Sequence, residues 1–269
     1  MPSFTTDDDV ELFYTDEGEG RPVLLLHGWA CDGTDWAWLD TDLARDHRVI
    51  VVDHRGHGRS GPATTGYTPH LFAADAHQLI RALGLHQVVV VGHSMGTIIA
   101  SVLAVERPEV VSGLALVDPV YGKSDDGLDQ VLAGITRNPH GAALAAFASF
   151  YGDAAPNWLA AWHRRRLLGT PANVVRDALT GLYSGPEGVG RAAVGRDFLA
   201  RRRAPILAVY AGASGHQSAE WDRSVSPASN NRFEVWAEHG HFLHEEDPAR
   251  FAHLLRDWLP TVEQSTTKC

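Results

Sequence analysis

The chain has 269 residues, 44% of them hydrophobic and 21% charged, which suits one large domain, or one domain carrying an insertion, with a sizeable core. That composition excludes a disordered chain, a collagen-like repeat and a coiled coil. With 23 basic against 33 acidic residues the formal charge is −10, which argues against a nucleic-acid binder, since those proteins neutralise phosphates with Lys and Arg.

Residues 1–9 are polar and end in Asp7-Asp8-Asp9, unlike the basic start of a signal peptide. Apolar runs at 23–26, 49–52, 88–91, 114–117 and 206–210 are continuous rather than alternating, as strands buried on both faces require. A helix is expected after Thr68-Pro69, with Phe72, Ala76, Leu79 and Leu83 at spacings of three and four and Gly84 closing it. Asp247-Pro248 repeats that start signal ahead of Phe251, Leu254, Leu255, Trp258 and Leu259. Strands alternating with helices predict a doubly wound α/β sheet. From 121 to 203 no strand-like run occurs, and Ala-rich, aromatic segments predict a helical lid inserted between core segments 1–120 and 204–262. Residues 263–269 read as a polar tail. No run is long enough to span a membrane, and Cys31 and Cys269 suit reduced thiols, so a soluble cytoplasmic protein without membrane or nucleic-acid partners is expected.

The strongest chemical signal is Gly92-His93-Ser94-Met95-Gly96, set between the apolar run 88–91 and a helical segment at 97–105. A serine on a strained strand-to-helix turn projects its hydroxyl as a nucleophile, and only glycines fit two positions away on either side. His27-Gly28-Trp29 ends an earlier strand, where the N–H of Trp29 and that of Met95 would form an oxyanion hole. Gly240-His241-Phe242 follows the strand-like 233–236 and offers His241 as the base. The string His239, His241, His244 has no complementary ligand cluster, so no metal is expected; His239 and His244 read as solvent-facing or packing residues.

Those motifs, together with the stretch Asp53-His54-Arg55-Gly56-His57-Gly58-Arg59-Ser60 and Glu246-Asp247-Pro248, resemble the α/β-hydrolase superfamily over nearly the whole chain. The resemblance implies an α/β-hydrolase fold with a mostly parallel eight-stranded sheet. It also implies Ser94 as nucleophile, His241 as base and Trp29 and Met95 as oxyanion donors, with 53–60 as a structural turn. Most relatives carry the triad acid after the strand equivalent to 206–210, but Ala211-Gly212-Ala213-Ser214-Gly215-His216 holds no carboxylate. A minority place it after the preceding core strand, where this chain has Asp118; Glu220 and Asp222 are the fallback.

A serine nucleophile excludes the dehalogenase and epoxide hydrolase branches, which need aspartate. The expected reaction is cofactor-free hydrolysis of an ester or lactone of a bulky, apolar or aromatic small molecule, similar to the lactonases that share the earlier acid position. The alternative is a cofactor-independent dioxygenase resembling the enzymes that cleave 3-hydroxy-4-quinolone rings, with His241 and Asp118 as base. Gly28, Trp29 and Trp158 are the expected substrate contacts, and the basic runs 163–166 and 201–203 read as solvated faces.

Overall fold

The computed structural model describes residues 2–266 apart from 65, 126 and 154, with side chains as far as Val262. Eight strands form one sheet: β1 (Ser3–Thr5), β2 (Glu11–Glu17), β3 (Arg21–Leu26), β4 (His47–Val52), β5 (Val88–His93), β6 (Val111–Val117), β7 (Ile206–Ala211) and β8 (Arg232–Trp236). Their order is β1-β2-β4-β3-β5-β6-β7-β8. β1 pairs antiparallel with β2 and β2 with β4, and every other pair is parallel.

The continuous apolar runs have the predicted cause. Leu24, Leu26, Val88 and Val90 point into one core, whereas Val23, Leu25, Val89 and Val91 point into a second on the other face. Each central strand therefore needs apolar residues on both faces, because helices cover both sides. Against the first face lie α2 (Pro69–Ala82) and α3 (Met95–Glu106); against the second lies α11 (Pro248–Thr266), whose Phe251, Leu255 and Trp258 are buried. The short α1 (Asp40–Leu43) precedes β4, α9 (Gly215–Val225) joins β7 to β8, and α10 (Leu243–Glu246) precedes α11. Thr68 caps α2 by accepting from the N–H of Leu71, with Pro69 in the first turn, as the sequence signal requires.

Between β6 and β7 the chain forms α4 (Leu128–Arg137), α5 (Pro139–Phe147), α6 (Asn157–Gly169), α7 (Ala172–Tyr183) and α8 (Ala192–Leu199). Among the described residues this stretch holds no strand, only an isolated bridge between Lys123 and Arg191. At the other end a correction is needed. The last helix continues to Thr266, four residues into the stretch read as a polar tail, while 267–269 (and with them Cys269) lie outside the described residues. Among the described residues no helix is long and apolar enough to cross a membrane.

The two basic runs read as solvated faces both turn members inward, His163 and Arg166 from the first and Arg202 from the second. Arg202 is buried against Asp222 at 2.5 Å, and Arg166 reaches Asp35 and Asp32 beneath α6. Burial of these guanidiniums follows from their carboxylate partners, which sequence periodicity does not show.

Candidate active site

Ser94 stands between β5 and α3 with φ 52° and ψ −114°, a backbone conformation unfavourable for any residue with a side chain. The turn is tight enough that a Cβ on Gly92 would meet the Gly96 carbonyl oxygen at 2.3 Å, and one on Gly96 would meet that of Leu26 at 2.3 Å. Both glycines of the motif are thus sterically required. Gly28 has a similar role, since a Cβ there would lie 2.8 Å from His93 Nδ1 and 3.3 Å from Ser94 Cβ. Its absence lets the β3 turn close on the serine. Gly28 does not itself line the cavity, which corrects its expected part as a substrate contact: it sets an approach rather than a wall.

The turn that carries Trp29 is held by a buried imidazole. His27 Nδ1–H donates to the Gly28 carbonyl at 2.8 Å, and Nε2 accepts from the His54 N–H at 3.0 Å. Both bonds are satisfied only by a neutral ring, and burial pushes the pKa of His27 well below its ordinary value. Trp29 donates from Nε1 to the Val175 carbonyl at 2.8 Å, which fixes its ring against the cavity. Its backbone N–H and that of Met95, the first residue of α3, have no acceptor among the described residues. Both donors belong to turns that meet at the serine, Met95 directly after it and Trp29 directly after Gly28. Beside them, residues 53–60 form a structural turn: Asp53 accepts from the N–H groups of Gly33 and Arg59, and Arg55 pairs with Asp75 at 2.6 Å.

His241 lies on the loop after β8. Its Nδ1 is 2.5 Å from Asp118 Oδ2, while Asp118 Oδ1 accepts from the Ala211 N–H at 2.9 Å. Asp118 follows β6 directly, with φ 43°. Nδ1–H to a carboxylate leaves Nε2 as the basic nitrogen. Ser94, Asp118 and His241 line one cavity, although no hydrogen bond joins Ser94 Oγ to His241; catalytic bonds of this kind commonly close only around substrate. The fallback acids lie elsewhere. Asp222 is buried on Arg202, Tyr121 and Tyr210, and Glu220 is exposed on α9.

Several residues that local motifs do not reveal hold the histidine loop. His93 Nε2 donates to the His241 carbonyl at 2.9 Å, and the His241 N–H donates to the Phe150 carbonyl at 2.6 Å. Glu246 accepts from the N–H groups of Gly152 and Gly240, at 2.9 and 2.8 Å, clamping the segment before α6 onto the loop. His239 and His244 are both buried, so packing, not solvent, is their surrounding. His244 lies between the rings of Trp36 and His93.

The cavity encloses about 900 Å³. Trp29, Phe150, Tyr151 and Tyr183 provide aromatic walls, and Ile135, Leu179 and Leu182 the aliphatic ones. Trp158 does not join them. It lies on the outer side of α6, 45% exposed, with its ring 5.8 Å from that of Trp38, which corrects its expected role as a substrate contact. Asp35, His163 and Glu245 present ligand atoms within 4.8 Å of one another, but the Arg166 guanidinium already sits on Asp35 and supplies the compensating cation.

The family model for the alpha/beta hydrolase fold matches residues 21–248. The chain belongs to that family. This alpha/beta hydrolase is 37% identical over 160 residues to a non-heme chloroperoxidase of Streptomyces lividans, covering 57% of this chain and 58% of that one. It is 45% identical over 97 residues to a non-heme haloperoxidase of Rhodococcus erythropolis, a match spanning 36% of this chain and 35% of the relative's length. The chain thus spans about a third of the first curated relatives it matches. Among solved structures, Est816, described as an N-acyl homoserine lactone degrading enzyme, superposes with a TM-score of 0.82 at 25% identity, covering 96% of this chain and 100% of that one. A thermophilic esterase from Thermogutta terrifontis gives a TM-score of 0.80 at 26% identity, covering 97% of both chains.

Proposed function

We propose that this alpha/beta hydrolase is a serine hydrolase that cleaves a carboxylic ester or lactone of a bulky, apolar or aromatic small molecule. The observation that carries the reading is the 2.5 Å contact between His241 Nδ1 and Asp118 Oδ2 in a cavity shared with a strained Ser94. In this reading Ser94 Oγ attacks the carbonyl carbon while His241 Nε2 takes its proton, and Asp118 stabilises the imidazolium. The oxyanion of the tetrahedral intermediate is held by the N–H groups of Trp29 and Met95. Collapse of that intermediate breaks the acyl C–O bond, and His241 returns the proton to the departing alkoxide. In a lactone the alcohol stays tethered to the acyl group. Water then attacks the acyl-enzyme by the same steps in reverse.

Apolar and aromatic walls around a few polar groups suit a substrate with a large hydrocarbon or ring portion. The esterase and lactone-degrading neighbours support ester chemistry. Ser94→Ala discriminates this reading from cofactor-free oxygenation. Hydrolysis of aryl esters and lactones is expected to fall by about a thousandfold or more. Oxygen uptake with a hydroxyquinolone that survives in Ser94→Ala and vanishes in His241→Ala would instead assign His241 and Asp118 to a dioxygenase.

A further inference from the structure

Helix α6 is amphipathic in an unusual sense. Its inward face buries Leu159, His163 and Leu167. Its outward face carries Trp158, Trp162, Arg165 and Leu168, at spacings of four, three and three, which align them in one stripe. Trp158, Trp162 and Leu168 are 45%, 44% and 46% exposed, and Trp38, from the segment before α1, is 56% exposed. Ring centroids run from Trp38 to Trp158 at 5.8 Å and on to Trp162 at 6.5 Å, so the three indoles form one band. Of the five exposed large hydrophobic residues among those described, four lie in this band. Such concentration marks an interaction surface, since exposed apolar residues on a solitary protein are ordinarily scattered.

The charge on the band identifies its partner. Arg165 is exposed within the stripe and Arg164 at its far edge, four residues before Leu168, and no ion pair engages either among the described residues. The acids near Trp38 are mostly committed: Asp35 to Arg166, and Asp42 to Arg256 at 2.8 Å; Asp40 accepts only from Thr41. On a chain of net charge −10, α6 thus carries two arginines on its exposed side that no carboxylate compensates among the described residues. Indole rings favour the boundary between headgroups and acyl chains, and guanidiniums favour lipid phosphates.

We propose that the Trp38–Trp158–Trp162 band, with Arg164 and Arg165, docks this protein reversibly on an anionic lipid surface. Docking from one side needs no spanning helix, and it is independent of the chemistry in the cavity walled by α4, α5 and α7. The sequence alone led to the opposite expectation, that no membrane takes part, because a search for spans does not detect a peripheral face.

Co-sedimentation of the full chain with vesicles of equal parts phosphatidylglycerol and phosphatidylcholine, against phosphatidylcholine alone, tests this. The bound fraction is expected to be on the order of tenfold higher on the anionic vesicles at low salt, falling at high salt. Arg164→Gln/Arg165→Gln is expected to remove that preference, and Trp158→Ser/Trp162→Ser to lower binding by about tenfold. Circular dichroism of each variant checks that it is folded, and exposed positions are chosen for that reason. Equal sedimentation with both vesicle types, or tryptophan variants that bind as the parent does, overturns the proposal. So does light scattering that finds a dimer dissociated by Trp158→Ser/Trp162→Ser, which would assign the band to a second copy of the chain.

Discussion

Two aspartates within reach of sequence reasoning as the triad acid occupy opposite environments, and their variants separate chemistry from stability. Asp118 divides its oxygens between His241 Nδ1 and the Ala211 N–H, at the edge of an open cavity. Asp118→Asn keeps the shape but presents an amide that favours the wrong imidazole tautomer. Turnover is expected to drop by about a thousandfold or more with the thermal midpoint nearly unchanged. Asp222 is fully buried, bonded by Arg202 Nη2 at 2.5 Å, Tyr121 at 2.5 Å and Tyr210 at 2.6 Å. Asp222→Asn strands the Arg202 charge in the interior and is expected to cost about 3–5 kcal/mol of stability, while turnover per folded molecule persists. Denaturant titration and active-site labelling together distinguish the two results. Near-normal turnover in Asp118→Asn would show that His241 does not depend on this carboxylate. Ser94 and His241 were legible because short motifs carry them. His93, Phe150, Gly152 and Glu246 were not, because their roles come from partners across the fold: Glu246 bonds Gly152, 94 positions away.

At the scale of elements, the strands of the parallel sheet announce themselves by uninterrupted apolar runs, whereas β1 and β2 do not. The edge strand β1 is short and its neighbour β2 mostly polar, with Leu12 the deeply buried member of β2, so no run marks them. The lid was recognisable as helical, but Trp158 was expected in a pocket wall, because apolar residues are ordinarily assigned to the interior. The wall is built instead by α4, α5 and α7, and small residues keep it open. Gly134 on α4 and Ala142, Ala145 and Ala146 on α5 line the cavity. A Cβ on Gly134 would find Ala142 Cβ at 3.9 Å, an ordinary contact, so a larger side chain enters the cavity rather than the helix packing. Gly134→Leu is therefore expected to stabilise α4 by about 1 kcal/mol through helix propensity. It is also expected to lower kcat/KM for long-chain aryl esters by about tenfold or more relative to the acetate. Kinetics with a series of p-nitrophenyl esters checks this, and an unchanged chain-length profile would show that the acyl group does not enter between α4 and α5.

The molecule as a whole buries an unusual set of ionisable groups, and they predict how stability varies with pH. His27, His54, His57, His93, His163 and His244 all have depressed pKa values, chiefly through burial, with His57 brought down to about 4 and His163 to about 3. In each case the unfolded chain takes up a proton near 6.5 that the folded chain refuses. Their contribution is therefore fully present above that value and is lost as pH falls toward the folded pKa. Asp35 and Glu245 act in the other sense. Burial raises both to about 7, so each favours the folded state most at low pH and loses that contribution as pH rises toward 7. Six groups against two decide the direction on the acid side, at more than about 1 kcal/mol per group per pH unit. Stability is expected to fall steeply below pH 6, and only mildly between pH 6 and 8. His244 lies between the tilted rings of Trp36 and His93 with neither ring nitrogen hydrogen-bonded and Glu245 3.8 Å from Nε2, and it is a direct place to test this. His244→Phe removes one titrating group while keeping a ring between those two, so its acid-unfolding midpoint, followed by circular dichroism, is expected to lie at lower pH than the parent's. In Glu245→Gln the decline between pH 6 and 8 is expected to flatten. An acid midpoint unmoved by His244→Phe would mean that this ring is as readily protonated in the fold as in the open chain.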